Sequence, residues 1–110
     1  MSQLTTHVLD TTLGRPAAGV PVALAAFAAG TWTPIGSGVT DADGRARSLG
    51  PSTVPPGRYR FTFDTAAYFA ATGQVGFHPE VVVTFDVVDD SHYHVPLLLS
   101  PFAYSTYRGS

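Results

Sequence analysis

A two-sheet, all-β sandwich is the fold this sequence predicts, and three features predict it. Eleven glycines and nine prolines break the 110 residues into short runs, which disfavours long helices. Several of those runs alternate apolar and polar residues with the period of two that marks a half-buried strand. Turn-forming residues recur between them at the short spacing of β-sandwiches, so that about eight strands and one brief helix account for the chain. The length fits one domain spanning residues 1–110.

The elements follow in order. Leu4–Asp10 is rich in β-formers and ends in a loop over residues 11–16. Residues 20–28 have the alanine content of a helix, but they lie between a Pro/Gly loop and Gly30, with Pro21 near the start, which fits a strand. Residues 33–40 form the next strand, interrupted by Gly36 and Gly38. Asp41-Ala42-Asp43-Gly44 is a turn, residues 45–49 are the short strand leaving it, and residues 51–57 are loop. Over residues 58–63, Tyr59, Phe61 and Phe63 fall on one face. Asp64-Thr65 can cap a helix of about two turns over residues 66–71, stopped by Gly73. Residues 80–87 alternate again, with Val81, Val83 and Phe85 inward. Asp89-Asp90-Ser91 turns the chain into the last two strands, residues 92–99 and 103–107, split by Ser100-Pro101.

Composition narrows the function classes. No cysteine is present, so disulfides and thiolate metal sites are excluded. All six basic residues are arginine, against eight acids, for a formal net charge of −2. With no basic stripe, nucleic acid and anionic membrane are poor partners. Charged residues make up 13% of the chain, against roughly 25% in an average domain, which fits a surface partly covered by another subunit. The longest apolar run, residues 20–29, is too short to span a bilayer and contains Pro21. The N-terminal residues carry no basic segment followed by an apolar run, so a cytoplasmic location is expected.

The histidines are the first candidates for chemistry. His92, His94 and Pro96 share one face of their strand, while Tyr93, Val95 and Leu97 take the other and read as core. A His-x-His pair can be half of a zinc site, with His7 as third ligand only if its strand lies alongside; the plain alternative is an exposed polar face. His78, before Pro79 in a loop, reads as structural. The Asp41–Gly44 segment lacks the third acid and distant glutamate of a calcium loop. No Gly-x-Ser-x-Gly elbow supports a serine nucleophile. The last residues, Tyr104 to Ser110, keep β-character where a frayed polar tail is usual.

Four segments carry a resemblance: Thr6-His7-Val8-Leu9-Asp10, Thr40-Asp41-Ala42-Asp43-Gly44-Arg45, residues 92–101 (HYHVPLLLSP) and residues 104–110 (YSTYRGS). Together they closely resemble the 5-hydroxyisourate hydrolase branch of the transthyretin family, over essentially the whole chain. The segment around Gly14–Val22 and the Asp-Gly-Arg turn recur in many prealbumin-like domains. The His-Tyr-His strand and the terminal Tyr-Arg-Gly-Ser are more diagnostic, since thyroid-hormone carriers of the same fold lack that tetrapeptide and histidines at both strand positions.

The resemblance implies a transthyretin-like (prealbumin-like) sandwich that dimerises edge to edge and pairs dimers face to face. The homotetramer would hold its active sites in the dimer–dimer channel. It implies hydrolytic ring opening of 5-hydroxyisourate to 2-oxo-4-hydroxy-4-carboxy-5-ureidoimidazoline in urate catabolism, with no cofactor and no metal. Carried over residue by residue, the catalytic groups would be His7, Arg45, His94 and Ser110, with His7, Arg45 and Tyr107 binding substrate. Imidazoles, with pKa values of about 6.5, suit activation of water, and a permanently charged guanidinium suits an oxyanion. Tyr107 can stack on a flat ring and donate a hydrogen bond. The rival reading is a non-catalytic carrier of small aromatic ligands in the same channel.

Overall fold

The computed structural model describes residues 2–110. In chain order the strands are β1 (Leu4–Asp10), β2 (Arg15–Pro16), β3 (Pro21–Ala28), β4 (Thr31–Val39), β5 (Arg45–Ala46), β6 (Gly57–Phe63), β7 (Val81–Val87), β8 (Tyr93–Leu99) and β9 (Tyr104–Thr106). The helix α1 (Thr65–Ala71) lies between β6 and β7. The strands form two sheets: β2-β1-β8-β9, with β5 also on β1, and β4-β3-β6-β7. The expected sandwich with one short helix is what the chain forms.

Alternation decides which residues face the core. On β1, Leu4, Thr6, Val8 and Asp10 are buried, while Thr5, His7 and Leu9 are half-buried on the outer face. On β8, Tyr93, Val95, Leu97 and Leu99 point inward. The opposing sheet contributes Val22, Leu24, Tyr59, Phe61 and Phe63. Val81 and Val87 are buried as well, but Val83 and Phe85 remain half-buried. They line the open side of the sandwich between the edge strands β7 and β9, where Tyr93, Val95 and Thr106 also meet the gap.

β1 runs parallel to β8, with Thr5 opposite His94 and His7 opposite Pro96. The other edge of β1 is shared by two short strands: β2 pairs at Leu9 and Asp10, β5 at Thr6 and His7. Neither extent matches the sequence reading. Arg15–Pro16 lies in the expected loop, and β5 ends at Ala46 rather than continuing to Leu49. Ser48 adopts a positive φ of 56°, which breaks the strand. The chain then turns Leu49 into the core and lays its backbone on Gly36, where a Cβ would collide with the Leu49 carbonyl. The last strand also stops early, at Thr106, so Tyr107 lies beyond it.

Helix α1 begins as the sequence indicates. The Asp64 carboxylate accepts from the Ala67 amide at 3.0 Å, which satisfies one of the free N–H groups of the first turn. Tyr68 and Phe69 are the buried aromatic side chains of the helix. The Tyr68 hydroxyl donates to Asp10 at 2.6 Å, tying the helix to the end of β1. Asp10 is buried and also accepts from the Leu13 and Thr12 amides at 2.8 and 3.0 Å and from Gln74 at 3.1 Å. Burial alone would raise its pKa, but the donors, led by Tyr68, outweigh burial and hold it below the usual carboxylate value.

A carboxyl depressed on folding stabilises the protein above its ordinary titration range, and that contribution is lost as pH falls through the lowered folded value. Replacing Tyr68→Phe should cost about 1.5–3 kcal/mol at pH 7, as expected for a hydrogen bond to a charged group. Urea unfolding of the two proteins should show the difference narrowing as pH is lowered from 7 toward 2.

Candidate active site

The outer face of the five-stranded sheet carries an open cleft of about 720 Å³. His7, Arg45, His94, Tyr107 and Ser110 all line it. The pairing of elements explains the convergence. His7 lies opposite Arg45 across β1 and β5, and β8 brings His94 alongside on the other edge of β1. The two imidazoles lie 6.3 Å apart between ring centres.

The Asp41–Gly44 turn holds two of these residues. The Asp41 carboxylate accepts from the amides of Asp43 and Arg45 at 2.9 and 3.1 Å. The Arg45 amide is the main reason this exposed carboxyl titrates below its usual value. Gly44 has a φ of 77°, and a Cβ there would stand 2.4 Å from the Val8 carbonyl; only glycine fits the turn this tightly against β1. The turn also presents the Asp43 carbonyl to His7, whose Nε2 lies 2.9 Å away. A carbonyl only accepts, so Nε2 carries the proton and the lone pair of neutral His7 is on Nδ1.

His94 sits deeper. Burial, then the positive charge of Arg45, then His92 and His7 push its pKa below the usual imidazole value. It is therefore neutral at neutral pH. Its Nδ1 lies 2.8 Å from the Thr5 hydroxyl, which is also 2.8 Å from Nε2 of the exposed His92.

The C-terminal segment closes one side. Beyond β9 the chain continues along the same edge of β8, where the Gly109 amide donates to the His94 carbonyl at 2.8 Å. A Cβ on Gly109 would approach His94 Cδ2 to 2.8 Å and Pro96 Cγ to 3.2 Å. This glycine serves by close approach to the imidazole. Arg108 anchors the segment. Its guanidinium lies 4.1 Å from the Tyr93 ring centre and donates to Ser91 Oγ and the His92 carbonyl at 3.2 and 3.4 Å.

β1 does lie beside β8, the condition for His7 to join the His92/His94 pair. Even so, among the described residues no three His, Cys, Asp or Glu side chains are grouped to hold a metal ion, and the Thr5 hydroxyl bridges the two strand histidines instead. His78 is remote, its ring edge-on to Phe77 and Tyr104. Thr5 and the anchoring role of Arg108 escaped the sequence reading. The signal for Thr5 was its place two residues before His7, on the same face of the same strand.

No helix is long and apolar enough to cross a membrane among the described residues. The profile of the HIUase/Transthyretin family matches residues 4–109. The chain is similar to 5-hydroxyisourate hydrolase of Deinococcus radiodurans, with 47% identity over 113 residues, covering 97% of this chain and 95% of that one. Its fold is similar to the solved structure of Klebsiella pneumoniae 5-hydroxyisourate hydrolase, with a TM-score of 0.86, 37% identity, and coverage of 97% and 98%. It is also similar to sea bream transthyretin in complex with thyroxine, with a TM-score of 0.92, 40% identity, and coverage of 97% and 94%. Sequence and fold agree on this point: the chain belongs to the HIUase/Transthyretin family.

Proposed function

We propose that the protein hydrolyses 5-hydroxyisourate to 2-oxo-4-hydroxy-4-carboxy-5-ureidoimidazoline in urate catabolism. One observation carries the reading: in a member of this family, His7, Arg45, His94, Tyr107 and Ser110 line a single cleft. The neutral imidazole of His94 accepts a proton from water as the oxygen attacks the ring amide carbonyl. Arg45 faces the oxyanion that develops on that carbonyl. The C–N bond of the ring then breaks, and the departing nitrogen takes the proton back from His94. His7, oriented by the Asp43 carbonyl, uses Nδ1 to hold the water or a ring N–H. Tyr107 stacks on the heterocycle and Ser110 supplies a hydroxyl to its polar edge.

The active assembly in this reading is a homotetramer, with the cleft-bearing sheets of two dimers facing each other across a channel. Half-buried Leu9 and Leu98 on the outer face support that packing. A carrier of small aromatic ligands is the second reading, favoured by the likeness to the thyroxine-bound transthyretin. The cluster of imidazoles and guanidinium favours the enzyme. Turnover separates the two, because a carrier binds without accelerating decay.

With 5-hydroxyisourate generated by urate oxidase and its ultraviolet decay followed, the wild-type protein at micromolar concentration should accelerate the loss. His7→Ala, Arg45→Ala and His94→Ala should each reduce kcat/KM by roughly 100-fold or more, with circular dichroism unchanged. No acceleration by the wild type would leave the carrier reading in its place.

The pH dependence follows from the depressed pKa of His94. The neutral base persists as pH falls below the ordinary imidazole value, and activity declines only as pH passes the lowered one. The acid limb of kcat/KM should therefore lie below about pH 6.5; a limb above that value would remove His94 as the base.

Truncation after Thr106 removes Tyr107, the Arg108 anchor, the Gly109 contact and Ser110, yet none of the buried core. It should lower the rate by about 100-fold or more while circular dichroism is preserved. Light scattering on both proteins reports whether the tetramer also survives.

A further inference from the structure

The Thr5 hydroxyl is a polar contact in the cleft that this mechanism does not use. Thr5 stands on β1 opposite His94, with Oγ1 2.8 Å from His92 Nε2 and 2.8 Å from His94 Nδ1. A hydroxyl has one proton, so at most one imidazole can accept from it, and the other must donate a ring N–H to its oxygen. The protonation patterns of the two rings are thereby coupled.

The surroundings of the rings decide the direction. His92 is exposed, so its remaining nitrogen is satisfied by water in either tautomer. His94 is half-buried and its Nδ1 is occupied by Thr5, leaving Nε2 as the nitrogen available to the cleft. Arg45 and His94 line the same cleft, so a fixed positive charge stands on the cleft side of the ring. Beside a fixed cation, a neutral imidazole is better placed with its lone pair than with an N–H toward the charged cleft.

We propose that Thr5 is a positioning residue: it donates its hydroxyl proton to His92 Nε2, accepts Nδ1–H from His94, and so holds the His94 lone pair at Nε2 toward the substrate. The inference rests on the reading of His94 as the base. Proton accounting closes with no further group. Nε2 takes the proton from the attacking water, the ring is briefly an imidazolium with Nδ1–H still on Thr5, and Nε2 returns that proton to the departing ring nitrogen.

The experiment combines imidazole ¹⁵N NMR of the labelled full chain with kinetics of Thr5→Val and Thr5→Ser. In the wild type at neutral pH, His94 should show a protonated Nδ1 and an unprotonated Nε2, and in Thr5→Val a mixture of tautomers. Thr5→Val should lower kcat roughly 10- to 100-fold with KM changed less than about threefold, and Thr5→Ser should recover kcat to within about threefold of wild type. A wild-type His94 protonated on Nε2, an unchanged kcat in Thr5→Val, or a Thr5→Ser no better than Thr5→Val would each overturn the proposal. A wild type that does not turn over 5-hydroxyisourate overturns the hydrolase reading, and with it the role of His94 as the base; the NMR result still decides the tautomer separately.

Discussion

The parallel register of β1 on β8 sets where every group in the cleft stands. Leu4, Thr6, Val8 and Asp10 on one strand and Tyr93, Val95, Leu97 and Leu99 on the other are all buried. A slip of one residue would turn those side chains outward and carry the histidines into the core. Burying the inward set therefore specifies the outward set as well. Thr5 must meet His94, and His7 must meet Pro96. The same buried residues that stabilise the sandwich put the two imidazole-bearing positions on one outer face.

Two elements outside that strand pair complete the cleft by hydrogen bonding rather than by burial. The Asp41–Gly44 turn spends one carboxylate on two amides and one carbonyl on an imidazole, so Arg45 and His7 are oriented from the same few atoms. The C-terminal segment is held by an amide on the His94 carbonyl and by a guanidinium over Tyr93. Its glycine lets backbone lie against an imidazole edge. Both elements are small, and a shift in either would move groups that line the cleft.

Much of this was visible in the residues. Period-two alternation marked β6, β7 and β8, a run of β-formers marked β1, and Asp64 marked the start of α1, because these signals are local. The clustering of His7, Arg45, His94, Tyr107 and Ser110 came from the family resemblance, since no local pattern reveals that β1 and β8 are neighbours. The failures have a common cause. Arg15–Pro16 becomes a strand only because β1 has a free edge there, and Arg45–Leu49 stops short because Leu49 is drawn to the core over Gly36. Thr5 looked like one more β-former. Its significance depends on two histidines that lie 87 and 89 residues away.

That separation bears on the order in which the molecule can assemble. In the four-stranded sheet, β3 and β4 join through a tight hairpin, and β6 and β7 are antiparallel neighbours linked only by α1 and its loop. Those pairings close short stretches of chain. β1, by contrast, finds its central partner only after nearly the whole sequence has intervened, and non-local parallel pairing is intrinsically slow because the loop entropy is lost before the contacts compensate. The sheet carrying the cleft is thus the late-forming half of the sandwich. Until β8 arrives, the strand bearing His7 has only the two-residue strands β2 and β5 beside it, and an exposed strand edge of that kind is where a folding chain is most open to pairing with the wrong neighbour.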